Sequence, residues 1–164
     1  MELFEDFSEI LIELKNLLNQ KKYSVATAES CTGGLLGAVL TSIPGSSTYF
    51  QGSIVAYSNY QKINLLKINE ETLKNYGAVS EECALEMAKN LKDLINSNII
   101  ISITGIAGPE GGTNEKPVGT VFSSIIINNS ENIFRYQFSG NRNLIRLMTV
   151  RTVLDNLLTL LENE

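Results

Sequence analysis

Apolar residues recur at helical spacing in three long segments of the chain. Near its start they fall three or four positions apart, which predicts an amphipathic helix with one buried stripe. That stripe consists of Leu3, Phe4, Phe7, Ile10, Leu11, Leu14, Leu17 and Leu18. A second helix is predicted behind Ser80, a favourable N-cap, and its inward face comprises Cys83, Met87, Leu91 and Leu94. A third begins near residues 139–141 and directs inward Leu144, Leu147, Met148, Leu154, Leu157 and Leu161.

Short runs of β-branched and other apolar residues between these helices predict strands. The predicted strands cover residues 23–28, 50–57, 98–104, 118–127 and 132–138, and shorter helices cover residues 32–41 and 59–66. Asn128-Asn129-Ser130 is typical of a hairpin turn between the last two strands. The alternation predicts a single three-layer α/β/α domain over residues 1–164, with helices on both faces of a mixed sheet of about five strands.

In such folds ligands bind where strands end and helices begin. The sequence places turns of this kind after Ala28, Tyr57, Ile103 and Phe138. Two of them are rich in glycine or serine, and a Gly/Pro-rich loop spans residues 105–117. We therefore expect the functional residues to lie in these turns.

Composition and charge narrow the function classes. The chain has 164 residues, 13 of them basic and 18 acidic, for a net charge of −5, which argues against a broad nucleic-acid-binding surface. Apolar runs such as residues 99–103 are too short to cross a membrane. Two distant cysteines without metal-ligand spacing indicate no metal site and a cytoplasmic location. The apolar stripe of the first helix leaves a homo-oligomer possible.

The chain contains no histidine, which restricts the chemistry of its serine turn. Ser30 lies at a predicted strand-to-helix junction that continues through Cys31 and Thr32 to Gly33 and Gly34. A serine nucleophile there needs a lysine, tyrosine, carboxylate or water to accept its proton. Two simpler readings remain open at this point: Ser30 or Thr32 caps the helix, and Cys31 is a small buried residue rather than a rival nucleophile.

Three further segments carry candidate chemistry. Tyr57 ends a predicted strand, and Lys62 follows about one helical turn later, where burial would turn it into a general base. A glycine-rich loop after the buried strand suggests a backbone cradle for a polar ligand, although its order matches no nucleotide-loop motif. Arg142 at a helix start is a candidate anion ligand, and Arg146 lies one turn further. A solvent-exposed charge is the competing interpretation for Lys62, Arg142 and Arg146.

Seven short motifs follow one another along the chain from residue 23 onward. They are residues 28–34 (AESCTGG), 44–47 (PGSS) with Phe50 and Gly52, 57–59 (YSN) with Lys62, 77–80 (GAVS), 104–109 (TGIAGP), 116–121 (KPVGTV) and 138–140 (FSG). Taken in this order, they resemble the CinA C-terminal-domain family, which includes stand-alone nicotinamide mononucleotide (NMN) amidohydrolases. Asn141 stands where we expect an acidic residue before Arg142.

The resemblance implies hydrolysis of the NMN carboxamide to nicotinate mononucleotide and ammonia, without a cofactor. It implies that Ser30 is the nucleophile and Lys62 its base, with Tyr57 orienting the lysine or relaying its proton. Backbone N–H groups of residues 31–34 are our candidates for the oxyanion hole. The substrate site that the resemblance implies is lined by Thr104, Gly105 and Gly108, with Arg142 on the phosphate. The alternative is a non-catalytic module of the same fold that binds a nucleotide or phosphate, as a sensor or in competence.

Overall fold

A five-stranded mixed sheet forms the centre of the computed structural model, which describes residues 2–164 and their side chains from residue 4 onward. Its strands are β1 (Val25–Glu29), β2 (Phe50–Val55), β3 (Ile99–Gly105), β4 (Thr120–Ile127) and β5 (Ser130–Gln137). They are arranged in the order β2-β1-β3-β4-β5. Strands β1, β2 and β3 are parallel, whereas β4 is antiparallel to both β3 and β5. All five predicted strands are present, and the predicted fold class is confirmed.

Helices cover both faces of the sheet. The helices on one face are α1 (Ser8–Lys21), α2 (Leu35–Leu40) and α6 (Arg142–Glu162), and those on the other are α3 (Asn59–Asn64), α4 (Glu70–Tyr76) and α5 (Glu81–Leu94). Successive residues of a strand point to opposite faces, so Ile99 and Ile101 join the first core while Ile100 joins the second. Burial on both faces explains why β3 is rich in isoleucine and carries no charged residue.

The apolar stripe of the first helix is buried within the chain itself. Leu3 lies outside the described side chains, and Phe4 is largely exposed. The rest of the stripe packs into the same core as the inner face of α6, through Phe7, Ile10, Leu11, Leu14 and Leu18, with Leu17 partly buried at its edge. This stripe therefore completes the chain's own core, and a homo-oligomer stays a prediction.

Several element details differ from the prediction. Leu94 and Leu144 were expected inside but are 52% and 44% exposed, because each lies in a terminal turn that other elements leave uncovered. Helix α2 begins only at Leu35, since Gly33 and Gly34 adopt positive φ values of 61° and 91°. Helix α4 was not predicted.

The four predicted ligand turns meet at one edge of the sheet. Two successive reversals, at the β3–β4 connection and at the β4–β5 hairpin, make β5 run in the same direction as β3. The chain therefore leaves β1, β2, β3 and β5 on the same side. In the described part of the chain, no helix combines the length and the apolar character needed to cross a membrane.

Candidate active site

Ser30 and Lys62 meet at this edge of the sheet. The Lys62 Nζ atom lies 2.8 Å from the Ser30 Oγ atom and 3.2 Å from the carbonyl oxygen of Ala56. Ser30 directly follows β1, and its N–H donates to the Ile103 carbonyl of β3. Lys62 projects from α3, which Ser58 caps by accepting a hydrogen bond from the Gln61 N–H at 3.2 Å. Two parallel strands thus bring together side chains that are 32 residues apart.

The environment of Lys62 favours the neutral amine. Its side chain is only 2% exposed, and this burial lowers the pKa of Lys62 from its ordinary value. Among the described residues, no carboxylate forms an ion pair with its ammonium group. A neutral amine can accept the hydroxyl proton of Ser30, so the pair has the geometry of a nucleophile and its base. This excludes the reading of Lys62 as a solvent-exposed charge.

The rival nucleophile Cys31 is held as a thiol. Its side chain is buried, and burial raises its pKa to about 12, a shift that the nearby Lys62 only partly opposes. At neutral pH almost all of this group is therefore protonated and a weak nucleophile. Cys83, in α5 on the other face of the sheet, is buried as well, and burial raises its pKa to about 11. The structure agrees with the simpler reading of Cys31 as a small buried residue.

A pocket of about 230 Å³ opens in front of Ser30. Turns from all four strand ends contribute to its wall, as the sequence predicts. The lining residues are Ser30, Cys31, Tyr57, Gly105, Ile106, Ala107, Gly108, Glu110, Gly111 and Arg142. Gly105, the last residue of β3, allows the chain to lie close to β4, because a Cβ atom there would lie 2.7 Å from the Val121 side chain. Glu110, which the sequence did not single out, places a carboxyl group in a pocket that also contains Arg142.

Arg142 and Tyr57 form one unit in the wall of this pocket. The Arg142 Nη1 atom donates to the Gly108 carbonyl at 2.7 Å, and Nη2 donates to the Tyr57 hydroxyl. Tyr57 is 54% exposed. Its hydroxyl contacts Arg142, so the predicted contact between Tyr57 and Lys62 is not formed. Asn141 caps α6 by accepting the Leu144 N–H at 3.0 Å, so it supplies the N-cap that an acidic residue would also provide.

Four residues expected around the substrate form hydrogen bonds within the framework and are absent from the pocket wall. The Thr104 hydroxyl donates to the Ala78 carbonyl at 2.6 Å, which ties β3 to the segment before α5, and Thr104 does not line the pocket. The Thr32 hydroxyl donates to the carboxylate of Glu29 at 2.7 Å, and the Gly34 N–H donates to the same oxygen at 3.1 Å. Gly33 also lies outside the pocket wall, and its N–H donates to the Ser30 carbonyl.

These contacts revise the set of oxyanion donors proposed from the sequence. The N–H groups of Gly33 and Gly34 are already bonded, to Ser30 and Glu29 respectively. In contrast, the N–H groups of Cys31 and Thr32 donate to no carbonyl or side-chain oxygen within residues 2–164. Of the predicted donors, these two remain available for a developing negative charge beside Ser30.

Two structural supports of the serine turn were not predicted as such. Glu29 is completely buried behind the turn, although its place at the end of an apolar strand hinted at a special role. Arg146 donates from Nη2 to the Thr32 carbonyl at 2.8 Å and from Nε at 3.3 Å. The sequence left Arg146 open between an anion ligand and a surface charge. The structure shows that it hydrogen-bonds the serine turn, although Arg146 and Thr32 are 114 positions apart in the sequence.

Comparison with known proteins identifies the family of this fold and site. The sequence profile of the CinA C-terminal domain matches residues 8–161, nearly the whole chain. The chain belongs to the CinA C-terminal domain family. It is 49% identical over 154 residues to a CinA-like protein of Thermotoga maritima, an alignment that covers 93% of this chain. Because the same alignment covers 36% of the relative, this chain spans about a third of that protein.

Solved structures of the family share the fold closely. The competence/damage inducible protein CihA of Agrobacterium tumefaciens has a TM-score of 0.91 and 39% identity, with 94% of this chain and 95% of that chain covered. A competence-damaged protein (CinA) superfamily protein of Escherichia coli has a TM-score of 0.89 and 31% identity, with 92% of this chain and 88% of that chain covered.

Within the described residues, no three His, Cys, Asp or Glu side chains are grouped to hold a metal ion.

Proposed function

We propose that this chain hydrolyses the carboxamide of NMN to nicotinate mononucleotide and ammonia through an acyl-enzyme on Ser30. The observation that carries the proposal is the 2.8 Å contact between the Ser30 hydroxyl and the buried Lys62 amine, whose pKa burial lowers. A serine beside a neutral lysine is suited to acyl transfer, and an amide is an acyl donor. The pair also provides a proton acceptor in a chain that has no histidine.

The reaction proceeds in two halves. In the first, Lys62 accepts the Ser30 proton while Oγ attacks the carboxamide carbon, and the N–H groups of Cys31 and Thr32 stabilise the oxyanion. The tetrahedral intermediate collapses when Lys62 returns the proton to the departing nitrogen, which leaves as ammonia. In the second half, Lys62 takes a proton from water as the water attacks the ester. Nicotinate mononucleotide is released, and Ser30 recovers its hydroxyl proton.

The shape and charge of the pocket support a mononucleotide substrate. The guanidinium group of Arg142 faces the pocket and can receive a phosphate group. Gly105 and Gly108 line the pocket without a side chain, which allows close approach of a flat ring or a ribose to the backbone. Glu110 offers a carboxylate, a common acceptor for ribose hydroxyls. We assign Arg142 to the phosphate and the Ser30 end of the pocket to the carboxamide.

A coupled assay tests this proposal directly. The purified chain is incubated with NMN, and ammonia and nicotinate mononucleotide are both quantified. We expect the two products in equal amounts and over many turnovers. The second candidate function is a binding module without chemistry, which the competence names of the relatives suggest. NMN binding in calorimetry without release of ammonia would favour that candidate.

The role assigned to Arg142 predicts a defect in substrate binding. Replacing Arg142 with methionine is expected to raise KM for NMN at least 10-fold, because a charge-assisted contact to phosphate is lost. Nicotinamide riboside, which lacks the phosphate, is the matched control substrate and should show little change in kcat/KM. Steady-state assays of both substrates make the comparison. An equal loss on both substrates would contradict a phosphate contact at Arg142.

The buried lysine predicts a pH dependence of defined sign. Protonated Lys62 cannot accept the Ser30 proton, so kcat should be low in acid and should rise to a plateau as the amine becomes neutral. Burial lowers the pKa of Lys62 below the ordinary lysine value, so the midpoint is expected below about 10.5. Initial rates measured from acid to alkaline pH check this. A rate that falls as pH rises through the same range would contradict Lys62 as the base.

A further inference from the structure

We infer that Glu29 is a positioning residue for Ser30, because its carboxylate fixes the turn that carries the nucleophile. This inference rests on the proposed function only in taking Ser30 as the nucleophile. Glu29 is the last residue of β1 and immediately precedes Ser30. Its side chain is 0% exposed, although it ends in a carboxyl group that water would otherwise solvate. Such burial requires strong partners within the protein.

Most partners of this carboxylate belong to the serine turn and the start of α2, and the hydroxyl groups of Thr27 on β1 and Ser53 on β2 also donate to Oε1, at 3.5 and 3.3 Å. Its Oε2 atom accepts the Thr32 hydroxyl at 2.7 Å and the N–H groups of Gly34 and Leu36 at 3.1 and 3.0 Å. Its Oε1 atom accepts the Gly37 N–H at 2.8 Å. One side chain therefore binds four donors between residues 32 and 37, the segment that directly follows the nucleophile. In the described part of the chain no lysine or arginine forms an ion pair with it.

This arrangement decides which backbone donors face the substrate. The first N–H groups of a helix normally have no intrahelical partner and bind anions. At the start of α2, the N–H groups of Gly34, Leu36 and Gly37 already donate to the buried Glu29 carboxylate. These N–H groups therefore do not form the oxyanion hole. The N–H groups of Cys31 and Thr32, which directly follow the nucleophile in the sequence, have no oxygen acceptor among the described residues. Arg146 fixes the same segment from the opposite direction through the Thr32 carbonyl.

The sharpest variant is Glu29→Gln, which keeps the shape but replaces one oxygen with an NH2 donor. Either orientation of the amide sets this donor against at least one N–H group or hydroxyl that now donates to the carboxylate. The turn must then shift, and Ser30 shifts with it. We expect kcat for NMN to fall at least 10-fold with KM changed less than 3-fold, because positioning affects the attack more than ground-state binding.

A second readout separates this inference from the choice of substrate. A fluorophosphonate probe reacts with an activated serine whatever its natural substrate is, and its labelling rate reports on Ser30 itself. We expect the second-order labelling rate of Glu29→Gln to fall at least 10-fold. The matched control is Ser102→Ala, which removes a buried hydroxyl bonded to the Ala84 carbonyl on the other face of the sheet. Its labelling rate should stay within 2-fold of the parent rate, even if its melting temperature falls as far as that of Glu29→Gln.

The outcomes are distinguishable. Labelling of Glu29→Gln at the parent rate, or an equal loss in Ser102→Ala at the same melting temperature, would overturn the positioning role. Labelling that persists in Ser30→Ala would overturn both the nucleophile and this inference. If the parent is labelled at Ser30 but releases no ammonia from NMN, only the substrate assignment fails. Should Glu29→Gln not fold by circular dichroism, Thr32→Val decides: a loss of 3-fold or more supports the role, and an unchanged rate overturns it.

Discussion

Replacing Lys62 with methionine is expected to lower kcat for ammonia release from NMN by about 10³-fold, within the range for loss of a positioned general base. Methionine fills a similar volume in the buried site but cannot accept the proton of Ser30. The fold should survive, because the change removes a buried amine whose charged form burial disfavours. Steady-state kinetics and a thermal melt of the purified variant give the two readouts.

The matched control is Lys74→Met, on the exposed surface of α4. It removes one positive charge from the protein without touching the pocket, so its kcat should stay within 2-fold of the parent. Parent-like turnover in Lys62→Met would show that another group accepts the proton. An equal loss in both variants would indicate an effect of net charge.

Replacing Ser30 with alanine is expected to have the largest effect, a loss of at least about 10³-fold in kcat, since the acyl-enzyme cannot form. Binding of NMN should persist, because Arg142 and the glycine-rich loop, which we propose as its binding residues, are unchanged. Ammonia release gives the kinetic part, and isothermal titration calorimetry gives Kd. A variant that binds NMN but does not turn it over is the expected result.

Ser124→Ala provides the control for that variant. Ser124 is a fully buried serine away from the pocket, and its Oγ atom has no hydrogen-bond partner among the described residues. Its removal should leave both turnover and stability close to the parent. If Ser30→Ala retained a tenth or more of the parent rate, the nucleophile would be another group or water.

The pairing of Ser30 with Lys62 follows from features that the sequence displays. Strands β1 and β2 are parallel neighbours, so the turn after β1 and the helix after β2 have to lie at one edge. The missing histidine restricts the base to a few residue types, and Lys62 is the lysine of the helix that follows β2. The pattern of apolar residues predicts the strand before Ser30 and the helix that carries Lys62. The burial that lowers the pKa of Lys62 arises only from packing, and no local pattern predicts it.

Other parts of the site depend on contacts between distant segments. Tyr57 was expected to face Lys62, yet it bonds Arg142, which lies 85 residues further along the chain. Which of two basic side chains a tyrosine contacts depends on the path of loops that sequence periodicity does not describe. Arg146 holds the Thr32 carbonyl for a similar reason. The resemblance placed Thr104 at the substrate, and the backbone N–H of Thr32 was a candidate oxyanion donor, but the hydroxyl groups of both side chains hydrogen-bond within the framework.

Trapping the acyl-enzyme with hydroxylamine tests the Ser30–Lys62 account most directly. Hydroxylamine competes with water for an acyl-serine ester, so the wild-type chain turning over NMN should form the hydroxamate of nicotinate mononucleotide. We predict that mass spectrometry will detect this product in a share that rises with hydroxylamine concentration, and that Ser30→Ala and Lys62→Met will form almost none. Turnover of NMN that yields nicotinate mononucleotide alone at every hydroxylamine concentration would contradict a covalent intermediate on Ser30.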